Sequence, residues 1–290
     1  MESGEKVKII DAHMHLSNIK EFKSIAVEKS TVDYSCNGLV HEYKASNVVL
    51  GIAMGLTETN SGRLPDHNTS TPMGIDLEDK IPSNIVYCLG INPYKLGREE
   101  IKELELRLQR PEVVGLKVYL GYYPFYGYDE VYKPVYELAE KYKVPVVFHT
   151  GDTLSDEGLL KYSHPLTLDE IAVKHRWVNF VMAHFGDPWC LDAAEVVYKN
   201  SNMFADLSGL MVGNDKTIKR LKDSPLFFHH LRHGLAFCDN YSKFLFGTDW
   251  PLVPIAPYIE FVRELIPEEY HQEVFYDTAT KVFPKIKRLL

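Results

Sequence analysis

Residues 7–16 read VKIIDAHMHL, a short apolar run that ends in an aspartate and two histidines. In an extended strand, residues i and i+2 point the same way, so His13 and His15 would project together from the end of this strand. Two imidazoles on one side are half of a metal site. The fold and the chemistry of the chain therefore depend on what the other strands carry at their ends.

Eight short runs rich in Val, Ile and Phe are spread along the 290 residues, with helical patterns between them. The predicted strands cover 7–11, 47–53, 85–90, 113–118, 144–149, 178–184, 203–207 and 244–247. Most are continuous apolar stretches, as expected of parallel strands covered on both faces. Strands that alternate with helices, without a linker-like tract, predict an α/β chain with a single (β/α)8 TIM barrel over residues 1–290.

Helical periodicity is clear at 99–109. Thr167, followed by Glu170, has the spacing of a capping box at the start of a further helix. The connections 16–46 and 55–84 are long, and both follow the carboxyl end of a strand, where such barrels carry their chemistry. The second connection is rich in turn residues and is predicted to be a solvated flap.

The net charge of -8 and the pI of about 5.8 argue against a chain that binds nucleic acid through a basic surface. No apolar run reaches the roughly 18 residues of a membrane helix, and the first residues lack the features of a signal peptide. Cys36, Cys88, Cys190 and Cys238 form no CxxC pair, so they are predicted to be reduced thiols. We expect a cytoplasmic protein that acts on a small molecule and binds neither nucleic acid nor membranes.

Three other predicted strands lead into groups that can bind a metal. His149 ends the fifth strand (VPVVFHTGD), His184 ends the sixth (VNFVMAHFGD), and Asp249 follows the eighth (FLFGTDWP). In a closed parallel barrel these ends converge around one axis on one face. Neutral imidazoles and a carboxylate are the ligands that zinc and similar divalent ions take. The pattern predicts a metal centre at the carboxyl end of the barrel.

The combination of these motifs resembles the amidohydrolase superfamily of metal-dependent barrels, most closely its amidohydrolase-2 branch, which includes decarboxylases of aromatic and related acids. The resemblance extends from DAHMHL to GTDWP and the closing helices, nearly the whole chain. It implies that His13, His15, His149 and Asp249 hold a divalent metal, with zinc as the expected ion. It also implies that His184 is either a ligand of a second metal or a catalytic imidazole, and it is compatible with a homodimer.

Lys117 lies near the end of the fourth predicted strand, where binuclear members of the superfamily carry a carboxylated lysine that bridges two metals. An ordinary ammonium cannot be a ligand, because its lone pair is occupied at neutral pH. The alternative, slightly favoured, is a protonated lysine that pairs with an acid of the substrate or with a neighbouring carboxylate. One ion is therefore favoured, and two ions remain an alternative.

The predicted site has groups for catalysis and for substrate binding. A divalent ion with an open position lowers the pKa of bound water to about 7. Asp249 would bind the ion weakly and accept the water's proton, while His184 would polarise a substrate carbonyl or move a proton. Arg63, in the predicted flap, is a candidate to bind a substrate carboxylate. Tyr119, in the tyrosine-rich segment 119–128, is predicted either to wall the pocket or to pack in the core.

Three acidic residues adjoin the predicted ligands, namely Asp11, Asp152 and Asp187. A ligating imidazole nearly always donates its other nitrogen to an acceptor. We therefore expect these carboxylates to orient histidines of the site.

Three functions are open from the sequence. The favoured one is metal-dependent hydrolysis of an amide, ester or lactone of a small molecule, because activated water is the commonest use of such a centre. The first alternative is a metal-dependent decarboxylase of a small aromatic or unsaturated acid, built on the same ligands. The second is a metal-free barrel that only binds a ligand, which requires His13, His15, His149 and Asp249 to converge by accident.

Overall fold

The computed structural model describes residues 7–17, 19–55, 82–224, 226 and 228–290. Within these ranges, eight parallel strands form one sheet in the order β1 to β8. The strands are β1 (Ile9–Met14), β2 (Val48–Met54), β3 (Ile85–Ile91), β4 (Val113–Val118), β5 (Val146–Phe148), β6 (Phe180–Met182), β7 (Met203–Asp206) and β8 (Phe244–Leu245). A parallel bridge between Met14 and Trp250 joins the segment after β8 to β1. The predicted (β/α)8 barrel is confirmed.

Helices cover the outside of the sheet. In the described part of the chain they are α1 (Lys20–Ile25), α2 (Cys36–Ala45), α3 (Arg98–Leu108), α4 (Lys133–Tyr142), α5 (Leu160–Ser163), α6 (Asp169–Lys174), α7 (Cys190–Lys199), α8 (Asp215–Lys222), α9 (His229–Cys238), α10 (Ile255–Leu265) and α11 (Thr278–Val282). None of these helices is long and apolar enough to cross a bilayer. The long predicted connection 16–46 is largely helical, and residues 56–81, most of the predicted flap, lie outside the described residues.

Side chains on the two faces of each strand belong to two different parts of the core. On β5, Val146 and Phe148 pack with the helices, whereas Val147 between them points into the barrel. Val282 and Ile286 join the inner cluster, so the C-terminal segment fills the amino end of the barrel. Full burial of such an aliphatic side chain contributes about 1.5–3 kcal/mol. The opposite, carboxyl end is left for polar side chains.

The first strand extends beyond its apolar run. The predicted end is Asp11, but β1 continues to Met14 and includes His13. Asp11 is buried and accepts hydrogen bonds from the N–H (2.9 Å) and the hydroxyl (2.7 Å) of Thr248. A buried carboxylate with such partners is tolerated inside a sheet, so the strand continues past it.

The last four strands, β5 to β8, are shorter than predicted, and in β5 and β6 this changes where a candidate ligand lies. Strand β5 stops one residue before His149, and β6 stops two residues before His184. His184 lies in the tight turn Ala183–Gly186, where the chain leaves the sheet. Both histidines therefore sit on the loops at the carboxyl end rather than on the strands themselves.

The predicted capping box is wrong. Thr167 lies inside a 3-10 turn (Pro165–Leu168), and its hydroxyl donates to the carbonyl of His164 (2.7 Å). Helix α6 follows this turn directly, with no capping side chain. Proline favours the first position of a helical turn, so Pro165 starts the turn early and Thr167 is already within it. The four cysteines, all among the described residues, form no disulfide with one another, as predicted.

Candidate metal centre

Three side chains at the carboxyl ends of β1 and β8 point their potential metal-binding atoms toward one another. His15 Nε2 lies 3.1 Å and His13 Nε2 lies 3.4 Å from Asp249 Oδ1, and all three residues are buried. Among the described residues, neither His13 Nε2 nor Asp249 Oδ1 has a hydrogen-bond partner. A buried polar atom left unsatisfied costs about 1–3 kcal/mol, and imidazole nitrogens with a carboxylate oxygen are typical ligands of zinc. These three side chains can hold a divalent metal ion.

A second group shares His13 and adds His184 and Asp206, with ligand atoms within 4.8 Å of one another. Sequence reasoning missed Asp206, the last residue of β7. Its Oδ2 lies 2.8 Å from His13 Nδ1, and its Oδ1 accepts from the backbone N–H groups of His184 (3.0 Å) and Ser208 (3.1 Å). The signal was present, because the run MFAD also ends in a carboxylate.

The two candidate catalytic residues have left-handed backbone conformations. His184 has a φ of 61° and Asp249 a φ of 58°. Such conformations cost non-glycine residues about 1–3 kcal/mol and concentrate at functional sites. The N–H of His184 is held by Asp206, and the N–H of Asp249 donates to the carbonyl of His13 (2.8 Å). Asp206 and His13 therefore stabilise the turns that direct the side chains of His184 and Asp249.

Burial sets the charges of the site. Desolvation lowers the pKa of His184 to about 4, and it also lowers the pKa of His13 and of His149. Burial by itself raises the pKa of Asp249, but interactions with His184 and His15 outweigh it and leave that pKa below its usual range. Neutral imidazole is the form that binds metals. At neutral pH His13, His149 and His184 are therefore neutral and Asp249 is ionised, as binding of a cation requires.

A cavity of about 230 Å³ opens onto these groups. Besides the candidate ligands, its walls include Phe22, Tyr119, Tyr122, Leu154 and Leu252. The hydroxyl of Tyr119 donates to the carbonyl of a β2 residue (3.0 Å), so Tyr119 lines the cavity with its ring. Drug-sized ligands occupy roughly 300–1,000 Å³, so this cavity suits a compact molecule with an apolar body.

His149 lines the same cavity but belongs to neither group of candidate ligands. Its Nε2 lies 2.9 Å from the carbonyl oxygen of Asp152. A carbonyl can only accept, so Nε2 carries the hydrogen and Nδ1 the lone pair. The ring centroid of His149 is 5.0 Å from that of His184. Its role as a metal ligand stays a prediction.

Lys117, on β4, is 1% exposed and lines the cavity. Its Nζ makes no hydrogen bond to any residue of the described ranges and lies 5.4 Å from the ring centroid of Tyr119. Burial lowers the pKa of Lys117 to about 8. A cation–π contact contributes about 0.5–2 kcal/mol, less than the cost of burying an unpaired charge. The ammonium therefore has no hydrogen-bonded anion within the described ranges, and a substrate carboxylate could provide one.

The remaining predicted residues lie elsewhere or have other partners. Arg63 lies outside the described residues. The carboxylate of Asp187 pairs with His230 Nε2 (2.8 Å), that of Asp11 with Thr248, and Asp152 contacts His149 through its backbone. The carboxylate that orients a predicted ligand is instead that of Asp206, which contacts Nδ1 of His13. This contact forms because closure of the barrel brings β7 near β1.

The comparisons with known proteins agree with this fold. A family model described as Amidohydrolase matches residues 10–285, and the chain belongs to this family of enzymes. No curated protein matches the sequence.

Three solved structures illustrate the likeness. One is a probable 2-pyrone-4,6-dicarboxylic acid hydrolase from Acinetobacter baumannii with citric acid bound (14% identity, 96% of this chain and 99% of that chain, TM-score 0.62). Another is 5-carboxyvanillate decarboxylase from Novosphingobium aromaticivorans, complexed with manganese and 4-hydroxy-3-methoxy-5-nitrobenzoic acid (12%, 96% and 96%, TM-score 0.62). The third is an amidohydrolase from Burkholderia multivorans with bound zinc (13%, 96% and 99%, TM-score 0.59). At these identities the likeness concerns the fold.

Proposed function

We propose that the protein is a metal-dependent hydrolase that cleaves an amide, ester or lactone of a small molecule. The observation that supports this is the convergence of His13 Nε2 and His15 Nε2 on Asp249 Oδ1, within 3.4 Å, in a buried site. A divalent ion held there acts as a Lewis acid and lowers the pKa of water to about 7. Phe22 stacks on His15, with ring centroids 4.8 Å apart, and holds that imidazole in place.

In this proposal Asp249 and His184 move the protons. Asp249 accepts a proton from the attacking water at Oδ2, the carboxylate oxygen that lies 4.0 Å from His184 Nδ1. The bare Nε2 of His184 then takes up this proton and passes it to the leaving group, which returns Asp249 to its ionised form and His184 to its neutral form. The lowered pKa values of both groups suit a base that is ionised and an imidazole that is neutral before reaction. Each such transfer typically contributes about 10²–10⁴ in rate.

A second candidate function is decarboxylation, and Lys117 is the observation that favours it. Its buried ammonium faces the cavity without a hydrogen-bond partner in the described part of the chain. A substrate carboxylate would supply that partner, and the aromatic walls would hold a compact planar body. Solved structures of similar fold include both a decarboxylase and a hydrolase. The two reactions share the same ligands and differ in the bond that breaks.

The first experiment tests the metal. Protein stripped with a chelator is titrated with zinc and with manganese by calorimetry. We expect tight binding of one equivalent that is lost in His13→Ala and kept in His229→Ala, which changes an exposed histidine on α9. Failure of the wild-type protein to bind either ion would remove both enzymatic functions and leave the metal-free binding barrel.

The second experiment separates the two reactions. The loaded enzyme is offered lactones, esters and amides, and separately aromatic and unsaturated carboxylic acids. Hydrolysis without release of carbon dioxide supports the first function, and carbon dioxide from the acids supports the second. The number of metal ions bound by the wild type and by Lys117→Met shows which form the lysine takes. A fall from two ions to one indicates a carboxylated Lys117. A single ion in both proteins indicates an ammonium.

A further inference from the structure

Asp206 is the centre of a buried hydrogen-bond network behind the candidate ligands. It is 1% exposed, and two of the groups around its Oδ1 are backbone N–H groups, from His184 and Ser208. The Ser208 hydroxyl also donates to Oδ1. Backbone N–H groups can only donate, so this oxygen acts purely as an acceptor. An aspartate side chain is ordinarily ionised at neutral pH.

The second oxygen of Asp206 determines which nitrogen of His13 carries a hydrogen. Oδ2 lies 2.8 Å from His13 Nδ1. Because the ionised carboxylate can only accept, Nδ1 must donate. The hydrogen of the imidazole is thereby held on Nδ1, and Nε2, which faces Asp249, keeps its lone pair. A ligating histidine needs this arrangement, with one nitrogen anchored and the other bare.

Ser208 does the same for His184. The Nδ1 of His184 lies 3.2 Å from the carbonyl oxygen and 3.0 Å from the hydroxyl oxygen of Ser208. The carbonyl can only accept, and the hydroxyl already gives its hydrogen to Asp206, so both oxygens accept from Nδ1–H. The lone pair of His184 is therefore on Nε2. The network therefore joins His13 directly, and His184 through Ser208, to a single carboxylate.

We propose that Asp206 and Ser208 are positioning residues that hold the ring hydrogens of His13 and His184 on Nδ1, so that Nε2 of His13 is available to a metal ion and Nε2 of His184 to a substrate. The assignment of those uses rests on the proposed function. The assignment of the hydrogens does not, because it follows from the partners of each nitrogen.

The test is ¹⁵N NMR of histidine side chains in the metal-free full-length protein. The spectra are recorded near pH 8.5, about two units above the ordinary histidine pKa. Signals are assigned with His13→Gln and His184→Gln. We expect protonated, pyrrole-type Nδ1 signals for both rings. A bare, pyridine-type Nδ1 on either ring in the wild-type protein would overturn the proposal.

Two variants extend the test to the positioning residues. In Asp206→Asn the amide group places a donor against His13, so Nδ1 must accept and its signal becomes pyridine-type. Zinc affinity, measured by calorimetry, falls by about 10–100-fold, as for other groups that orient ligands. Asp169→Asn, which changes a carboxylate that pairs with Lys199 away from the cavity, keeps both spectrum and affinity. An unchanged His13 signal in Asp206→Asn would contradict the proposal.

Ser208→Ala covers the case in which Asp206→Asn fails to fold. The variant removes the hydroxyl and leaves the carbonyl at 3.2 Å as the acceptor for His184. We expect a second, Nε2–H form of His184 to appear, with His13 unchanged; no change in either ring would count against a role for Ser208. The outcomes also separate the two proposals. Protonated Nδ1 signals in a protein that binds no metal would refute the metal-dependent function and keep this network.

Discussion

Lysines at the two ends of the barrel differ in whether their Nζ atoms have hydrogen-bond acceptors. At the amino end, Lys243 precedes β8 and its Nζ donates to the carbonyls of Asn200 (3.1 Å), Ser201 (2.7 Å) and Met203 (3.2 Å). Lys285, which is only half-buried, likewise donates to three carbonyls, of Leu108 (2.6 Å), Arg110 (3.0 Å) and Val113 (2.8 Å). At the carboxyl end, Lys117 Nζ has no hydrogen-bond partner among the described residues.

The difference shows which end serves stability and which serves chemistry. An ammonium that donates to three carbonyls satisfies acceptors that follow a helix or begin a strand, and it contributes to folding. An ammonium without an acceptor in a buried cavity lowers the free energy of unfolding and persists where a ligand uses it. In this fold the chemistry lies at the carboxyl ends of the strands.

The largest expected effect is on turnover. Asp249→Asn keeps the shape of the side chain but removes the proton acceptor, so kcat should fall by about 10²–10⁴. The free energy of unfolding should also fall at pH 7, because interactions with His184 and His15 favour the ionised carboxylate in the folded protein. Kinetics on the substrate found in the panel and urea unfolding check both. A variant that loses stability but keeps its turnover would show that Asp249 serves the fold rather than the chemistry.

Removing the unpaired charge should stabilise the protein. Lys117 Nζ is buried without a hydrogen-bond partner in the described part of the chain, which costs about 1–3 kcal/mol, so Lys117→Met should raise the free energy of unfolding of the metal-free protein by about this amount. Between pH 8 and 10.5 the unfolded chain binds more protons at this site, so wild-type stability should rise with pH and approach the variant. Urea unfolding at several pH values measures the gap, and a variant less stable than wild type would show that Lys117 has a structural role.

The same substitution at the other end should have the opposite sign. Lys243→Met leaves three carbonyls at the end of α7 and the start of β7 without their donor, so we expect a loss of about 2 kcal/mol in the free energy of unfolding. Zinc affinity should not change, because the site is at the far end of the barrel. If Lys243→Met and Lys117→Met shift stability in the same direction, the contrast between the ends is not real.

The smallest expected change in stability is at a glycine. Gly209 has a φ of +61°, and a Cβ there would lie 2.6 Å from His184 Nδ1 and 2.8 Å from Asp249 Oδ2. Gly209→Ala should cost about 1 kcal/mol in the left-handed backbone and displace both side chains, so zinc affinity and turnover should fall more than stability does. Gly97→Ala, where the Cβ would meet the flexible end of Glu100, is the matched control. Equal losses of stability and affinity would mean general disruption.

Much of the barrel and part of its site could be predicted from local pattern. Continuous apolar runs located all eight strands, because parallel strands are covered on both faces. The position of a polar residue at the end of such a run also singled out His13, His15 and Asp249, which the structure brings together. The same rule applies to Asp206 but was not extended to β7. Strand ends were less accurate at Asp11, because its buried partner Thr248 is 237 residues away.

The amino-acid sequence by itself determined the alternation of strands and helices and the set of polar residues at the strand ends, since both depend on neighbours a few positions apart. The tertiary structure alone decided which of those residues meet and in what state. Asp206 and His13 are 193 residues apart, and only closure of the barrel lets one hold the ring hydrogen of the other. Whether a lysine stabilises the fold or is left available to bind a ligand likewise depends on hydrogen-bond acceptors contributed by distant segments.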